Sequence, residues 1–257
     1  MLEDRVCLVT GAVSGIGYAI AEACRDAGAR VMVHGLDAAE AEAACDRLGG
    51  GAAWCAGDLL DPETPARLVA ECLDRFGRLD GLVNNAARLN RSTIENFSAA
   101  HFDVVMAVNV RAPLLLIQAA LPALETDSGG AIVNIGSINA HCGAPNLLAY
   151  SASKAGLMTA TRNLGDALGG RAVRINQVNV GWTLTENEHR LQVSEGRPEN
   201  WKENLPPEFA PRGSLLVPEE VASHVVFWLS DRSAPATGQV YEIEQYPVIG
   251  RNRISTR

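Results

Sequence analysis

Basic residues are in short supply: the chain of 257 residues carries 22 Lys and Arg against 30 Asp and Glu, a formal charge of -8. Affinity for nucleic acid rests on neutralising phosphates with clustered cations, so this balance argues against a nucleic-acid partner. Charge of either sign is sparse, at 20% of residues, while 47% are hydrophobic. That composition can bury a large core and does not match a disordered chain. The six cysteines (Cys7, Cys24, Cys45, Cys55, Cys72, Cys142) lack metal-type spacing and sit mostly in apolar stretches, where a free thiol behaves as a small hydrophobe. The expectations are no metal and a reducing, cytoplasmic compartment. From Met1 to Val9 there is no basic leader or cleavage-site pattern, and no run of about 20 apolar residues, so neither export nor a membrane is expected. No repeat, low-complexity tract or Gly/Ser linker divides the chain, which predicts a single domain over 1–257.

What is present is an alternation. Short Val- and Ile-rich runs predict seven strands at Val6–Thr10, Arg30–Gly35, Ala52–Ala56, Gly81–Asn84, Ala131–Ile135, Val173–Val178 and Gln239–Ile243. Between them Gly15–Ala27, Ala38–Leu48, Thr64–Phe76, Ala99–Leu124, Tyr150–Leu168 and Pro218–Ser230 have helical length and composition. Strand and helix alternating in this way imply an α/β, doubly wound, Rossmann-like fold with a mainly parallel seven-stranded sheet covered on both faces. The rhythm breaks at the polar segment from Gly181 to Val217, and a loop that long inside a compact domain is read as a substrate lid over 182–217.

Directly after the first strand the chain reads Thr10-Gly11-Ala12-Val13-Ser14-Gly15-Ile16-Gly17 and then enters a helical run. Glycines there permit a tight turn and close approach to a pyrophosphate, whose charge the free N–H groups and the helix dipole would meet. The Thr-Gly-x3-Gly-x-Gly spacing resembles the cofactor turn of the short-chain dehydrogenase/reductase family. Further motifs of that family follow in order across nearly the whole chain: Asp58-Leu59, Asn84-Asn85-Ala86, Asn109, Ser137, and Tyr150 with Lys154 four residues on.

Tyr150 and Lys154 fall one turn apart on one helix face. A free phenol has a pKa of about 10, and a nearby cation favours the phenolate, so the lysine is expected to lower it toward the range useful for acid–base catalysis. The resemblance implies catalytic roles for Asn109, Ser137, Tyr150 and Lys154: Ser137 positions the substrate oxygen, Tyr150 exchanges a proton with it, Lys154 contacts the nicotinamide ribose, and Asn109 holds a proton-relaying water. It further implies dinucleotide contacts at Gly11, Ser14, Gly15, Ile16, Gly17, Gly35, Leu36, Asp58, Leu59, Asn85, Ala86, Tyr150, Lys154, Gly181, Thr183 and Thr185. The activity expected is NAD(P)-dependent interconversion of a secondary alcohol and a carbonyl.

Three departures from the family pattern matter. Val180 stands where the family has proline before Gly181, which loosens a φ constraint. Gly35 replaces the acid that NAD users carry for the ribose, and neither Ser14 nor Leu36 supplies the Arg or Lys that NADP users carry for the 2'-phosphate. Asp37 reads better as the cap of the next helix than as a ribose ligand, leaving His34 to turn either way. Lacking a basic clamp, the sequence favours NAD over NADP.

Asn139, His141 and Trp182 are the leading substrate-facing candidates, with Cys142, Leu147, Glu186, Asn187, Glu188, His189 and Trp201 around them. Their polarity suits a small polar or polyhydroxylated substrate, although Glu186 to His189 would equally form a solvated helical turn. By the same resemblance a homotetramer, or a homodimer, is expected. Competing readings are an NADP-dependent 3-oxoacyl-type carbonyl reductase, which wants a basic patch for an acidic carrier, and a non-catalytic dinucleotide-binding regulator, which would lack Tyr150 or Lys154.

Overall fold

The computed structural model describes residues 1–126, 129–141 and 143–249. Its strands are β1 Val6–Val9, β2 Arg30–Gly35, β3 Ala52–Ala56, β4 Gly81–Asn84, β5 Gly130–Ser137, β6 Val173–Val180 and β7 Val240–Ile243. They form one sheet in the order β3-β2-β1-β4-β5-β6-β7, and every pairing is parallel. The helices are α1 Gly15–Asp26, α2 Ala38–Leu48, α3 Thr64–Phe76, α4 Ala99–Met106, α5 Ala112–Leu124, α6 Leu148–Leu168, α7 Glu186–Ser194 and α8 Pro218–Leu229.

Both faces of the sheet are dry over the central strands β1, β4, β5 and β6, which is why those strands read as largely apolar runs. Along β1, Cys7 and Val9 pack with α1 and α8, while Val6 and Leu8 pack with residues of α3 and α5 on the opposite face. The strand order reverses between β1 and β4, and in open α/β sheets the crevice at the carboxyl ends beside such a reversal is where ligands bind.

Two strands run longer than the sequence predicts. β5 extends to Ser137 and β6 to Val180, although Asn134, Gln177 and Asn179 are polar and fully buried. Those side chains satisfy one another instead of ending the strands: Asn84 Nδ2 donates to Asn134 Oδ1 at 2.8 Å, Asn134 Nδ2 to Thr161 Oγ1 at 2.9 Å, and Gln177 Nε2 to Asn179 Oδ1 at 2.8 Å.

The helix expected over Ala99–Leu124 is interrupted by a π-helical turn, Ala107–Arg111, centred on Asn109. The whole stretch is apolar and long enough to cross a membrane by length and composition, and half of its most apolar window is buried in the fold, where α5 packs on α3, β4 and β5. The segment expected as a polar loop contains α7 and a small core of its own, in which Trp201, Ala210 and Leu215 are buried beneath Trp182, Leu184 and Leu205.

Candidate functional site

The glycine turn after β1 is pinned from the neighbouring strand. Thr10 Oγ1 accepts the N–H groups of Asn85 at 2.9 Å and Ala86 at 3.1 Å, while Asn85 Nδ2 donates to the carbonyls of Thr10 and Gly11 at 2.9 and 3.1 Å. Gly11 and Gly15 take φ of +61° and +54°, in the left-handed region that favours glycine. A Cβ at Gly17 would lie 2.1 Å from the Gly11 carbonyl oxygen, so no larger residue fits where α1 begins.

His34 braces this turn from β2, a role the sequence left open. Its Nδ1 accepts the Gly11 N–H at 3.2 Å, and its Nε2 faces the Gly57 carbonyl at 3.0 Å. Both bonds require the neutral Nε2–H tautomer, and burial, the largest influence, lowers the pKa of His34 and so favours that form.

Gly11, Ser14, Gly15, Ile16, Gly17, Leu36, Asp58, Leu59, Asn85, Ala86 and Thr185 line one cavity of about 390 Å³ at the carboxyl edge of the sheet. Gly35 does not line it. A Cβ there would meet Val13 Cγ1 at 2.7 Å, so the position that holds an acid in NAD users is filled from behind by Val13. Asp37 caps α2 by accepting the Glu40 N–H at 3.0 Å, and Asp58 caps its own turn by accepting the Leu60 N–H at 2.9 Å while lining the cavity. A turn that only glycine fits, opening onto a cavity of this size at a helix N-terminus, suits a dinucleotide.

A second cavity of about 620 Å³ shares Ile16, Asn85 and Thr185 with the first. Ser137, Tyr150 and Lys154 line it together, as do Asn139, Leu147, Gly181, Trp182 and Thr183. Ser137 ends β5, and its hydroxyl accepts the Asn139 N–H at 3.2 Å while lining the cavity with Tyr150. Lys154, 2% exposed, donates to the Ile135 carbonyl at 2.7 Å, with Nζ 5.6 Å from the centre of the Tyr150 ring.

The titration of this pair differs from the expectation. Burial pushes Tyr150 up to about 12, the Ser137 hydroxyl opposes that rise, and the Glu188 charge adds to it. Burial also brings Lys154 down to about 8. In the protein alone, therefore, Lys154 does not hold Tyr150 low, because desolvation dominates both groups and the ammonium is turned to a main-chain carbonyl.

Asn109 is tied to two neighbouring segments. Its Oδ1 accepts the Arg88 N–H at 2.7 Å, and its Nδ2 donates to the Arg88 carbonyl at 3.0 Å and to Ser153 Oγ at 2.9 Å. Ser153 Oγ in turn donates to the Tyr150 carbonyl at 2.7 Å. The Asn109 side chain thus braces α6 and the loop after β4.

His141 lies outside the cavity lining. Its Nε2 meets Glu242 Oε1 at 2.5 Å in β7, so the ring is tied to the edge strand of the sheet. Cys142 lies outside the described residues. Trp182 stacks on Trp201 with ring centres 5.5 Å apart, and Trp201 Nε1 donates to His189 Nδ1 at 3.1 Å. Thr183 is buried with its hydroxyl donating to the Gly181 carbonyl at 3.2 Å, and Thr185 accepts the Glu188 N–H at 3.0 Å as the cap of α7. Sequence reasoning missed Gln192, Glu195 and Arg197, which reach the same cavity; polar residues on and just after a short helix give no signal of where that helix docks.

Comparison with known proteins agrees with this geometry. A family profile described as enoyl-(acyl carrier protein) reductase matches residues 11–245. 2-(S)-Hydroxypropyl-CoM dehydrogenase 3 of Xanthobacter autotrophicus is 35% identical over 247 residues, covering 95% of this chain and 96% of the relative. D-threitol dehydrogenase of Mycolicibacterium smegmatis is 35% identical over 243 residues, covering 92% and 90%. Among solved structures, L-sorbose reductase from Gluconobacter frateurii, complexed with NADPH and L-sorbose, superposes with a TM-score of 0.89 at 26% identity, covering 95% of this chain and 96% of that one. The chain belongs to the short-chain dehydrogenase/reductase family. It is an NAD(P)-dependent oxidoreductase that interconverts secondary alcohols and carbonyls.

Proposed function

We propose that the chain oxidises a small polyhydroxylated alcohol, or reduces the matching ketone, at Tyr150. The observation that carries this reading is the convergence of Ser137, Tyr150 and buried Lys154 on one cavity, which shares Ile16, Asn85 and Thr185 with the glycine cradle. Relatives named for threitol and sorbose support the substrate class.

The nicotinamide, when bound, supplies or accepts the hydride. Ser137 holds the substrate oxygen and polarises it, and Tyr150 exchanges a proton at that oxygen. Lys154 stabilises the phenolate that forms, which matters most because burial alone opposes ionisation of Tyr150. Asn109 acts through Ser153 and Arg88, fixing the start of α6 and hence the tyrosine. Gly11, Gly15, Ile16, Gly17, Asp58, Leu59, Asn85, Ala86, Gly181, Thr183 and Thr185 hold the cofactor. The segment 182–217 serves as the lid of a single-domain enzyme, which excludes water from the reacting centre.

NAD is the preferred cofactor in this reading. Glu40 and Asp58 line the cradle, and neither Ser14 nor Leu36 offers a cation for a 2'-phosphate. A cytoplasmic homotetramer completes the proposal, and light scattering of the purified protein measures its size. The function is tested by screening polyols, sugars and hydroxy acids separately with NAD and NADP, following absorbance of the reduced nicotinamide. Polyol turnover with a higher kcat/KM for NAD is expected. Dinucleotide binding with no turnover of any alcohol would instead point to a regulator.

A further inference from the structure

α7 opens with the pattern Thr185-Glu-Asn-Glu188, whose third helical residue would ordinarily fold back on the Thr185 main chain to complete a capping box. The Thr185 half forms, with its hydroxyl accepting the Glu188 N–H at 3.0 Å. The carboxylate goes elsewhere: Glu188 Oε1 accepts Trp182 Nε1–H at 2.8 Å and Gln192 Nε2–H at 2.7 Å, which carries the side chain into the wall of the cavity that holds Tyr150. Among the described residues no donor reaches Oε2.

The neighbouring charges on this wall are Arg91, Glu195 and Arg197. Arg91 makes a bidentate pair with Glu195 at 2.7 and 2.9 Å. Arg197 lies over the faces of Trp182 and Trp201, 5.3 and 5.4 Å from the ring centres. A carboxylate held rigidly by one oxygen, with the other turned to a partly dry cavity, accepts strongly from a hydroxyl and repels an anion.

We propose that Glu188 is a specificity-determining residue that accepts a substrate hydroxyl next to the reacting carbon, selecting neutral vicinal diols over 2-hydroxy acids. The inference rests on the oxidoreductase reading above. It assigns Trp182 and Gln192 the role of orienting the carboxylate.

Glu188→Gln tests it, because the amide oxygen can still accept from Trp182 and Gln192. Dinucleotide affinity, measured alongside, is expected to stay unchanged and reports that the fold is intact. For erythritol, kcat/KM should fall roughly ten- to hundred-fold, mainly through KM, as suits loss of a hydrogen bond to a charged group. For 2-butanol it should change less than about twofold, and discrimination against lactate should narrow. Equal losses for erythritol and 2-butanol, or none for erythritol, would overturn the assignment. A second readout needs no turnover: erythritol binding to dinucleotide-loaded Tyr150→Phe protein, followed by tryptophan fluorescence, should weaken when Glu188→Gln is added. Wild-type protein that turns over no alcohol would defeat the oxidoreductase reading, yet a Glu188-dependent erythritol affinity would stand. An affinity that ignores Glu188→Gln would defeat this inference while leaving the oxidoreductase reading intact.

Discussion

Tyr150 and Lys154 are displaced in opposite directions by one cause, the removal of water from both. For Lys154 the consequence is a stability cost. The unfolded side chain keeps its proton to about 10.4, and the folded one gives it up near 8, so below pH 8 the fold carries a buried charge whose penalty is on the order of 3 kcal/mol. Between those values the unfolded state binds more protons, and stability rises with pH. Lys154→Met should therefore lose turnover and yet melt higher than wild type at pH 7. The net gain should be about 1–2 kcal/mol once the lost bond to the Ile135 carbonyl is allowed for, or roughly 3–6 °C in Tm. The difference should shrink as pH rises from 8 toward 10. Calorimetry across that range checks it, and a variant that melts lower at pH 7 would show the charge to be better compensated than its surroundings indicate. The identities of Ser137, Tyr150 and Lys154 were legible in the sequence because their spacing is local. The direction of the Tyr150 shift was not, since it depends on burial in the folded chain and on the charge of Glu188, 38 residues away.

At the scale of elements, the turn from β1 into α1 is the most constrained. Gly17→Ala would set a methyl 2.1 Å from the Gly11 carbonyl oxygen and 2.4 Å from Asn85 Nδ2, so α1 must shift away from the strand that pins it. The expected cost is about 1–3 kcal/mol of stability, with dinucleotide affinity reduced more than about tenfold because the turn's N–H groups no longer converge. Denaturant melts and a dinucleotide titration measure the two effects, and unchanged affinity would place the pyrophosphate elsewhere. This element could be read from its glycines. The π-turn at Asn109 could not, because the Asn109 side chain there accepts the N–H of Arg88, 21 residues earlier. Nor could the lengths of β5 and β6, whose last residues, Gly136, Ser137, Asn179 and Val180, run past the predicted strands, with buried Asn179 held by the Gln177 amide.

For the whole molecule, the alternation of strand and helix was enough to give the sheet, because strands buried on both faces leave long apolar runs that little else produces. The segment from Gly181 to Val217 was harder. Its fold rests on tryptophan stacking and a few buried contacts across some 30 residues, so sequence alone showed a polar stretch with a helical turn at Glu186 to His189 and not the full α7. The substrate side of the cavity is built from that segment, and the catalytic side from β5 and α6. The central claim is that proton exchange at Tyr150 drives the reaction while the cradle at Gly11 to Gly17 binds the dinucleotide independently. The most direct measurement compares Tyr150→Phe with wild type, using a turned-over polyol and a dinucleotide titration on the same preparations. Turnover should fall by at least about a hundredfold, as suits loss of a general acid–base group, with dinucleotide affinity unchanged within about twofold. Retained turnover would contradict the account.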